Sequence, residues 1–305
     1  MTAAAGQQFY AALAAELGVE ARPAEPLSRH TTMRVGGPAD WLFLPRELTH
    51  AARLWAELRR GPLPVRVLGA GSNVVVCDEG VRAAVIATEG LAQGARLAGA
   101  GVIEAPAGTP IPGLVRWAAE RGLAGLEFAE GIPAQLGGAI RMNAGANRSW
   151  FGAVVESAWV AGEDGSVVER AVESGDFGYR DSFAARAGLL VLGARLRLQP
   201  DEPDAIRGRI ASFRERRRAT QPVQARSAGC VFANYPEQSV GALVERLGLK
   251  GTRVGDAEVS TLHGNFVVNR GSARAADVLE LIEMLQQRLT AETGQPPRLE
   301  VEIWR

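Results

Sequence analysis

The chain has 305 residues, of which 47% are hydrophobic and 22% charged, and its formal net charge is zero. This length allows two or three domains with cores of their own. The balanced charge provides no overall field for nucleic acid or an anionic membrane. No apolar run reaches membrane-spanning length, and the N-terminus lacks the basic start and apolar core of a signal peptide. We expect a cytoplasmic protein without nucleic-acid or membrane partners, and nothing implies an obligate protein partner.

The cysteine and histidine content argues against a disulfide framework and a metal site. Two cysteines, Cys77 and Cys230, cannot build such a framework, and neither belongs to a CxxC motif. The three histidines are far apart in sequence and have no ligand spacing. Cys77 lies in the apolar run VVVC and is predicted to be a buried, inert side chain.

In chain order, helices alternate with short strands. Helices are predicted near the N-terminus and over Leu48–Arg60, Gly113–Arg121, Asp204–Arg218, Val240–Leu247 and Ala275–Thr293. Strands are predicted over Ala39–Leu44, Val65–Leu68, Val74–Cys77, Ala83–Thr88, Val102–Ala105, Val154–Ala161, Val167–Arg170, Leu189–Leu198, Phe266–Asn269 and Leu299–Trp304. Ala21–Ser28 and Gln199–Pro203 are interpreted as linkers, and Ala228–Phe232 as a turn leading into a strand. The pattern predicts an α+β protein with a larger first part and a smaller second part.

The segment Gly69–Asn73, GAGSN, joins two predicted strands. A Rossmann fingerprint needs a third glycine and a following helix, and a P-loop needs lysine followed by Ser or Thr. Neither pattern is present. Successive backbone N–H groups in such a turn form a concavity that binds anions. An ordinary hairpin turn is the alternative.

The segment Gly131–Asn147, GIPAQLGGAIRMNAGAN, is unusually rich in glycine and alanine. Glycine loses more conformational freedom on folding than any other residue, so such a run needs a reason. One reason is the close approach of a ligand to the backbone, and the other is a tight crossing of a helix and a strand. Both interpretations are open on this segment alone.

Seven segments, in order, resemble the UDP-N-acetylenolpyruvoylglucosamine reductase family. They are HTTMRVGGPA (30–39), LGAGSNVVV (68–76), GIPAQLGGAIRMNAGA (131–146), YRDS (179–182), SAGCVF (227–232), GALVERLGLKG (241–251) and HGNFVVN (263–269). The short path from Leu198 to Cys230 is similar to the family's second subtype, which lacks a longer inserted loop.

The resemblance implies an FAD-binding fold of the vanillyl-alcohol-oxidase (PCMH) type with a smaller α+β substrate-binding domain. We expect residues 1–88 to form one FAD-binding subdomain, to which the strand 297–305 returns. Residues 89–200 would form the second subdomain, and residues 201–296 the substrate domain.

The resemblance also implies noncovalent FAD, NADPH as reductant, and UDP-N-acetylglucosamine enolpyruvate as the small-molecule substrate. The product would be UDP-N-acetylmuramate, a peptidoglycan precursor required for cell wall biogenesis, cell shape and division. The implied cofactor-binding residues are Gly69, Ala70, Gly71, Ser72, Asn73, Gly131, Ile132, Gly137, Gly138, Asn143, Ala144 and Gly145. The implied substrate-binding residues are Tyr179, Arg180, Gly229 and Asn265.

Three residues match the family's catalytic positions. As the resemblance implies, hydride passes from NADPH through flavin N5 to the enolpyruvyl methylene carbon, and the adjacent carbon then needs a proton. Arg180 offers a donor fork to the carboxylate that accumulates charge, although a surface pair with Asp181 is the alternative. Glu302 matches the family's C-terminal glutamate, while Glu300, two residues earlier on the same strand face, is interpreted as an exposed carboxylate.

Cys230 stands where the family usually has a serine proton donor. A thiol has a reference pKa of about 8.5 and is a better acid than an alcohol, so proton donation is chemically reasonable. The cost is susceptibility to oxidation by peroxide. A buried, inert cysteine is the alternative interpretation.

Other departures from the family pattern are local. Ala233 replaces a basic or amide side chain, Tyr235 replaces a proline, and Asn147 replaces a frequent tyrosine. The basic run Arg214–Arg218 could meet a phosphate or form a solvated helix end. Two other functions stay open in principle: a flavin oxidase or dehydrogenase of a small alcohol, and a binding module that has lost catalysis.

Overall fold

The computed structural model describes residues 3–305, with side chains from residue 6 onward, and it divides into two compact units. The first unit comprises the residues up to Pro23, Asp40–Ala70 and Ala83–Glu215. The second comprises Ala24–Ala39, Gly71–Arg82 and Arg216–Arg305. The predicted boundaries at residues 88, 200 and 296 stay a prediction.

The first unit contains two larger sheets. The strand order in the four-stranded sheet is Glu20–Pro26, Pro38–Leu44, Val81–Ala87 and Val65–Leu68, and the last two strands are parallel. The five-stranded sheet is antiparallel, in the order Val167–Ala171, Val155–Ala161, Val191–Arg197, Val102–Pro106 and Arg96–Gly99. Two-residue strands add the pairs Leu123–Ala124 with Gln199–Pro200, Gly145–Ala146 with Ser149–Trp150, and Phe177–Gly178 with Asp181–Ser182.

Helices cover these sheets because their apolar residues recur at helical spacing. Leu48–Arg60 buries Ala51, Leu54, Trp55 and Leu58 in a core shared with the four-stranded sheet. The other helices of this unit are Ala3–Leu17, Ile111–Ala119, Leu136–Arg141 and Phe183–Arg186, and Pro203–Thr220 begins in it. A second core lies against the five-stranded sheet and includes Leu136, Ala139 and Ile140 of the glycine-rich stretch.

The second unit is built on a four-stranded antiparallel sheet. Its strand order is Arg226–Cys230, Phe266–Asn269, Ala257–Val259 and Arg253–Val254. The helices Val240–Arg246 and Ala275–Thr293 contribute Val278, Leu281 and Leu285 among others to one core. The longer helix ends at Gly294, whose φ of 73° is the left-handed conformation usual after a helix. Val74–Val76 pairs in parallel with Glu302–Trp304.

The mixture of helices and strands confirms the α+β prediction, with local corrections. Ala21–Ser28 is not a linker, since Glu20–Pro26 is a strand with a short 3-10 turn after it. Part of the second linker is also a strand, Gln199–Pro200. Ala228–Cys230 lies inside the strand Arg226–Cys230 rather than in a turn before one. These strands were not predicted because they contain proline and small residues and lack an alternating side-chain pattern. Backbone pairing with a neighbouring strand stabilises them instead. No helix among residues 3–305 is long and apolar enough to cross a membrane.

Candidate active site

Arg180 lies at the tip of a tight hairpin in the first unit. The strands Phe177–Gly178 and Asp181–Ser182 pair, which leaves Tyr179 and Arg180 as the two turn residues. Arg180 has a φ of 55°, a conformation that a side chain of this size rarely adopts and that clusters at functional sites. Its guanidinium carbon lies 5.4 Å from the centroid of the Tyr179 ring, and Tyr179 is 58% exposed.

This hairpin is tied to the glycine-rich stretch by side-chain hydrogen bonds. Asn143 Nδ2 donates to the carbonyl of Gly178 at 2.7 Å, and Ser182 Oγ donates to that of Arg141 at 2.7 Å. Arg180 Nη1 donates to the carbonyl of Gly145 at 3.5 Å. The fold therefore brings the predicted catalytic arginine beside the predicted cofactor segment.

Asp176 supports the same hairpin from its N-terminal side. Its carboxylate receives two hydrogen bonds from the guanidinium of Arg170, at 2.5 and 2.8 Å, and these lower the pKa of Asp176. The Arg170 guanidinium also stacks 4.2 Å from the Phe183 ring centroid. On the other side of the turn, the Asp181 carboxylate forms an ion pair with Arg186.

In the second unit, the turn Gly71–Asn73 is hydrogen-bonded to Thr32 and to the C-terminal segment, and Thr32 in turn bonds to Ser227. Thr32 Oγ1 donates to the carbonyls of Ser227 at 2.6 Å and Gly71 at 3.3 Å. Asn73 Nδ2 donates to the carbonyl of Glu300 at 3.1 Å, and the backbone N–H of Glu302 donates to that of Asn73 at 2.9 Å. The predicted cofactor turn is thus joined to the strand that carries Glu302.

Cys230 is the last residue of a strand that is irregular immediately before it. The pairing register shifts between Ser227 and Cys230, and Gly229 has a φ of 76°. A bulge of this kind redirects the following side chain. Cys230 is half-buried, whereas Cys77 is buried as predicted.

Asn265 holds the residues that follow Cys230. Its buried amide donates to the carbonyl of Phe232 at 2.7 Å and accepts the Phe232 N–H at 3.0 Å. The Val231 N–H donates to the Asn265 carbonyl at 2.9 Å. The amide is thereby engaged by the protein backbone, while the predicted role of Asn265 in substrate binding stays a prediction.

The C-terminal strand brings Glu302 towards the same place. The carbonyl of Val231 accepts the backbone N–H of Glu300 at 2.8 Å, so Cys230 and Glu302 both lie within two residues of one backbone contact. Glu302 Oε2 accepts a hydrogen bond from the Trp304 indole at 3.2 Å, which orients the carboxylate along the strand. Glu300 precedes the observed strand Glu302–Trp304 and is half-buried, so the prediction of an exposed carboxylate on that strand is wrong.

The glycines divide into two groups when a Cβ atom is built on each. At Gly71 it would lie 2.3 Å from the carbonyl oxygen of His30, at Gly137 2.8 Å from the Ala107 Cβ, and at Gly145 2.6 Å from the Ser149 carbonyl oxygen. At Gly69 the nearest atom would be 3.6 Å away, and at Gly138 no atom lies within 4 Å apart from those of its chain neighbours and of its own helix backbone. Packing explains the first group but neither Gly69 nor Gly138.

The open glycines fit a large planar or anionic group that approaches the backbone. Gly138 lies inside the helix Leu136–Arg141, where glycine is less favourable than alanine by about 1 kcal/mol. Nothing in the described structure compensates for that cost. The residues present therefore fit FAD, with Gly69 and Gly138 as places where the cofactor could meet bare backbone.

The hairpin alternative for Gly69–Asn73 is wrong. Val65–Leu68 pairs with Val81–Ala87, whereas Val74–Val76 pairs with Glu302–Trp304, so the two flanking strands belong to different sheets.

Gly131 has a φ of 73°, a backbone conformation that favours glycine at this position.

The residues that depart from the family pattern have structural partners. Arg214 Nε donates to the buried carboxylate of Glu130 at 2.7 Å. Arg214 is therefore paired within the protein, which supports neither of its two predicted roles, a phosphate contact or a solvated helix end. Asn147 has a φ of 52° and donates to the Phe128 carbonyl at 3.2 Å. Tyr235 donates to the Gln295 carbonyl at 2.9 Å, and Ala233 is buried.

Several supporting residues were not predicted from the sequence. Thr32, Thr88, Gln135 and Asp176 form their key hydrogen bonds with partners distant in the chain or across a turn. Thr32 and Gln135 lie inside quoted motifs and Thr88 and Asp176 outside them, but a polar side chain does not by itself identify its hydrogen-bond partner.

Comparison with known proteins agrees with this geometry. A model of the UDP-N-acetylenolpyruvoylglucosamine reductase C-terminal domain matches residues 221–304, and a model of an FAD binding domain matches residues 39–170. The UDP-N-acetylenolpyruvoylglucosamine reductase of Moorella thermoacetica is 45% identical over 282 residues, 92% of each chain. That of Parasynechococcus marenigrum is 46% identical over 271 residues, 87% of this chain and 90% of its own.

Solved structures extend the comparison. The crystal structure of UDP-N-acetylenolpyruvylglucosamine reductase (MurB) from Thermus caldophilus superimposes with a TM-score of 0.79 at 41% identity, covering 94% of this chain and 99% of that one. A berberine bridge enzyme variant shares the fold alone, with a TM-score of 0.52 at 12% identity over 63% of this chain and 43% of that one. These matches confirm the predicted FAD-binding fold. The chain belongs to the UDP-N-acetylenolpyruvoylglucosamine reductase family.

Proposed function

We propose that this protein reduces UDP-N-acetylglucosamine enolpyruvate to UDP-N-acetylmuramate in the cytoplasm, with noncovalent FAD as cofactor and NADPH as reductant. The observation that carries the proposal is the attachment of the Arg180 hairpin to the glycine-rich stretch through Asn143, Ser182 and Arg180 itself. When bound, FAD supplies the hydride relay from NADPH to the methylene carbon of the substrate.

Arg180 has the role of stabilising charge. Hydride addition to the enolpyruvyl group places negative charge on the adjacent carbon and, by delocalisation, on the carboxylate. A guanidinium presents paired donors that suit a carboxylate. The left-handed turn fixes the direction from which the side chain leaves the backbone, so less reorientation is needed when charge develops.

Cys230 has the role of proton donor. The thiol delivers its proton to the carbon that bears the charge, and the thiolate is reprotonated from solvent. Glu302, held by the Trp304 indole, contributes an oriented carboxylate as the third catalytic group. Tyr179, Gly229 and Asn265 are proposed to bind substrate, and the turn Gly69–Asn73 and the open glycines to bind FAD.

The main test is anaerobic NADPH oxidation by the purified flavoprotein. Bleaching of the flavin by NADPH followed by reoxidation on adding UDP-N-acetylglucosamine enolpyruvate is the expected result. Reoxidation without that substrate, or no bleaching, would contradict the proposed reaction. An oxidase of a small alcohol would not be bleached by NADPH.

Two substitutions of Cys230 separate its two interpretations. Cys230→Ser keeps substantial turnover because a hydroxyl can still deliver a proton. Cys230→Ala should leave bleaching by NADPH intact but stall reoxidation by substrate, which stopped-flow absorbance resolves. An alanine variant that turns over like the wild type would show that the cysteine is not the acid.

A further inference from the structure

The carboxyl end of the parallel strand pair in the first unit carries a polar contact that the proposed chemistry does not use. Leu68 and Ala87 pair in register, so Gly69 and Thr88 are the next residues on the two strands. Ligands bind preferentially at the carboxyl edge of parallel strands. Thr88 is buried there, and its hydroxyl lies 2.7 Å from Gln135 Oε1 and 3.4 Å from the Leu68 carbonyl oxygen. We assign its single proton to the shorter contact, with Gln135 Oε1 as the acceptor.

That hydrogen bond fixes the side chain of Gln135. With Oε1 engaged, the amide must present Nε2 as its remaining donor. In the part of the chain that the structure describes, Nε2 has no acceptor. Gln135 is only half-buried, so the donor is accessible to a ligand.

The side chain of Gln135 lies beside Gly69, one of the two glycines that packing does not explain. A Cβ built on Gly69 would be 3.6 Å from Gln135 Oε1 and 3.9 Å from Thr88 Oγ1, which are ordinary contacts. Gln135 is also the N-cap of the helix that contains Gly138. Gly138 follows three residues later in that helix, and a Cβ built on it would meet no side chain within 4 Å.

We infer that Gln135, positioned by Thr88, donates a hydrogen bond from Nε2 to an acceptor oxygen or nitrogen of FAD. The inference rests on the proposed function for the identity of the ligand. Gln135 contacts the cofactor, whereas Thr88 is a positioning residue that acts through Gln135. The Thr88–Gln135 pair thereby favours a cofactor that places an acceptor next to the bare backbone of Gly69.

The test measures FAD binding rather than turnover. The FAD is removed from the full-length protein, and the Kd for added FAD is determined from quenching of flavin fluorescence. Gln135→Met retains the length of the side chain but removes the amide, and we expect the Kd to rise at least about five-fold, the loss of one hydrogen bond. The matched control is Gln93→Met, which removes an exposed amide bonded to the Arg46 carbonyl and should leave the Kd unchanged.

Thr88→Val distinguishes positioning from direct contact. The variant is nearly the same size and should raise the Kd by less than Gln135→Met does. Combined with Gln135→Met it should add nothing, because Thr88 acts only through the amide. Additive losses would overturn the positioning role.

Failure of the inference differs from failure of the proposed function. If the wild-type protein binds no FAD, the proposed function is wrong. If the wild type binds FAD and Gln135→Met binds it within two-fold, with or without a lower melting temperature of the FAD-free protein, the inference is wrong and Gln135 is structural.

Discussion

Two regions, the loops at Gly36 and Gly71 in the second unit and the helix Leu136–Arg141 in the first, use glycine for different reasons. At Gly36 a Cβ would lie 2.5 Å from the Val76 carbonyl oxygen and at Gly71 2.3 Å from that of His30, so backbone closes in both of these glycines. In the first unit Gly137 is likewise enclosed, but the adjacent Gly138 faces no described atom within 4 Å.

This difference shows that a glycine-rich motif combines two signals. A glycine that a Cβ would force against backbone is required for the chain to fold, with or without a ligand. A glycine with open space around it in a helix lowers stability, and no packing contact requires it there. Where it falls inside a predicted cofactor segment, as Gly138 does, the second kind is the better indicator of where a cofactor approaches, whereas Gly113 and Gly208 are open helical glycines outside such segments.

The largest effect is expected for Gly71→Ala. The substitution combines a φ of 61° with two backbone contacts closer than 3 Å, to His30 and Thr31, so we expect a loss of about 2–5 kcal/mol in unfolding free energy. Urea unfolding of the FAD-free protein measures it. Gly248→Ala is the matched control, because Gly248 has a φ of 67° and no described atom within 4 Å.

The control should lose only the conformational part, about 1–2 kcal/mol. The difference between the two losses in unfolding free energy then measures the cost of the close backbone contacts at Gly71. Equal losses would show that the close contacts relax without cost, and the comparison between the two regions would lose its basis.

A smaller loss is expected for Gly137→Ala. The new methyl group would meet the Ala107 Cβ at 2.8 Å, and Ala107 has no flexible side chain that could move away. Overpacking costs about 1–3 kcal/mol, and the gain in helix propensity returns up to about 1 kcal/mol. We therefore expect a net loss in the urea midpoint of the FAD-free protein. An unchanged or raised midpoint would place Gly137 with the open glycines.

Much of the fold could be predicted because periodic segments carry their own signal. Leu48–Arg60, Val65–Leu68, Phe266–Asn269 and Ala275–Thr293 have the predicted bounds, since apolar periodicity and clear terminators mark them. Glu20–Pro26 was missed because its polar, proline-containing sequence lacks strand periodicity, and only pairing with a neighbour makes it a strand.

The site could be predicted only as a set of motifs. Arg180 and Gly131–Asn147 were identified separately. Their connection depends on hydrogen bonds of Asn143 and Ser182 to residues about forty positions away, and a local sequence pattern does not show such a contact. Gln135 lies inside Gly131–Asn147, but no local pattern connects it with Thr88, 47 residues earlier. Likewise, the adjacent glycines of the sequence LGG (136–138) cannot be told apart by pattern, because the enclosure of Gly137 depends on Ala107, which belongs to a different segment.

The smallest effect on stability, and the sharpest on the comparison, is expected for Gly138→Ala. Without FAD, the added methyl group meets no described atom within 4 Å and removes the penalty of a helical glycine, so the unfolding free energy should rise by about 0.5–1 kcal/mol. With FAD, the same methyl group occupies the space proposed for the cofactor, and the Kd for FAD should rise.

The matched control is Gly113→Ala, in the helix Ile111–Ala119. Its new methyl group also faces no described atom within 4 Å, so this variant should gain stability without any change in FAD affinity. Opposite signs for stability and affinity in Gly138→Ala alone would identify Gly138 as a glycine kept for the ligand. If that variant binds FAD as tightly as the wild type, the open space at Gly138 does not belong to the cofactor, and the glycine stays without a functional explanation.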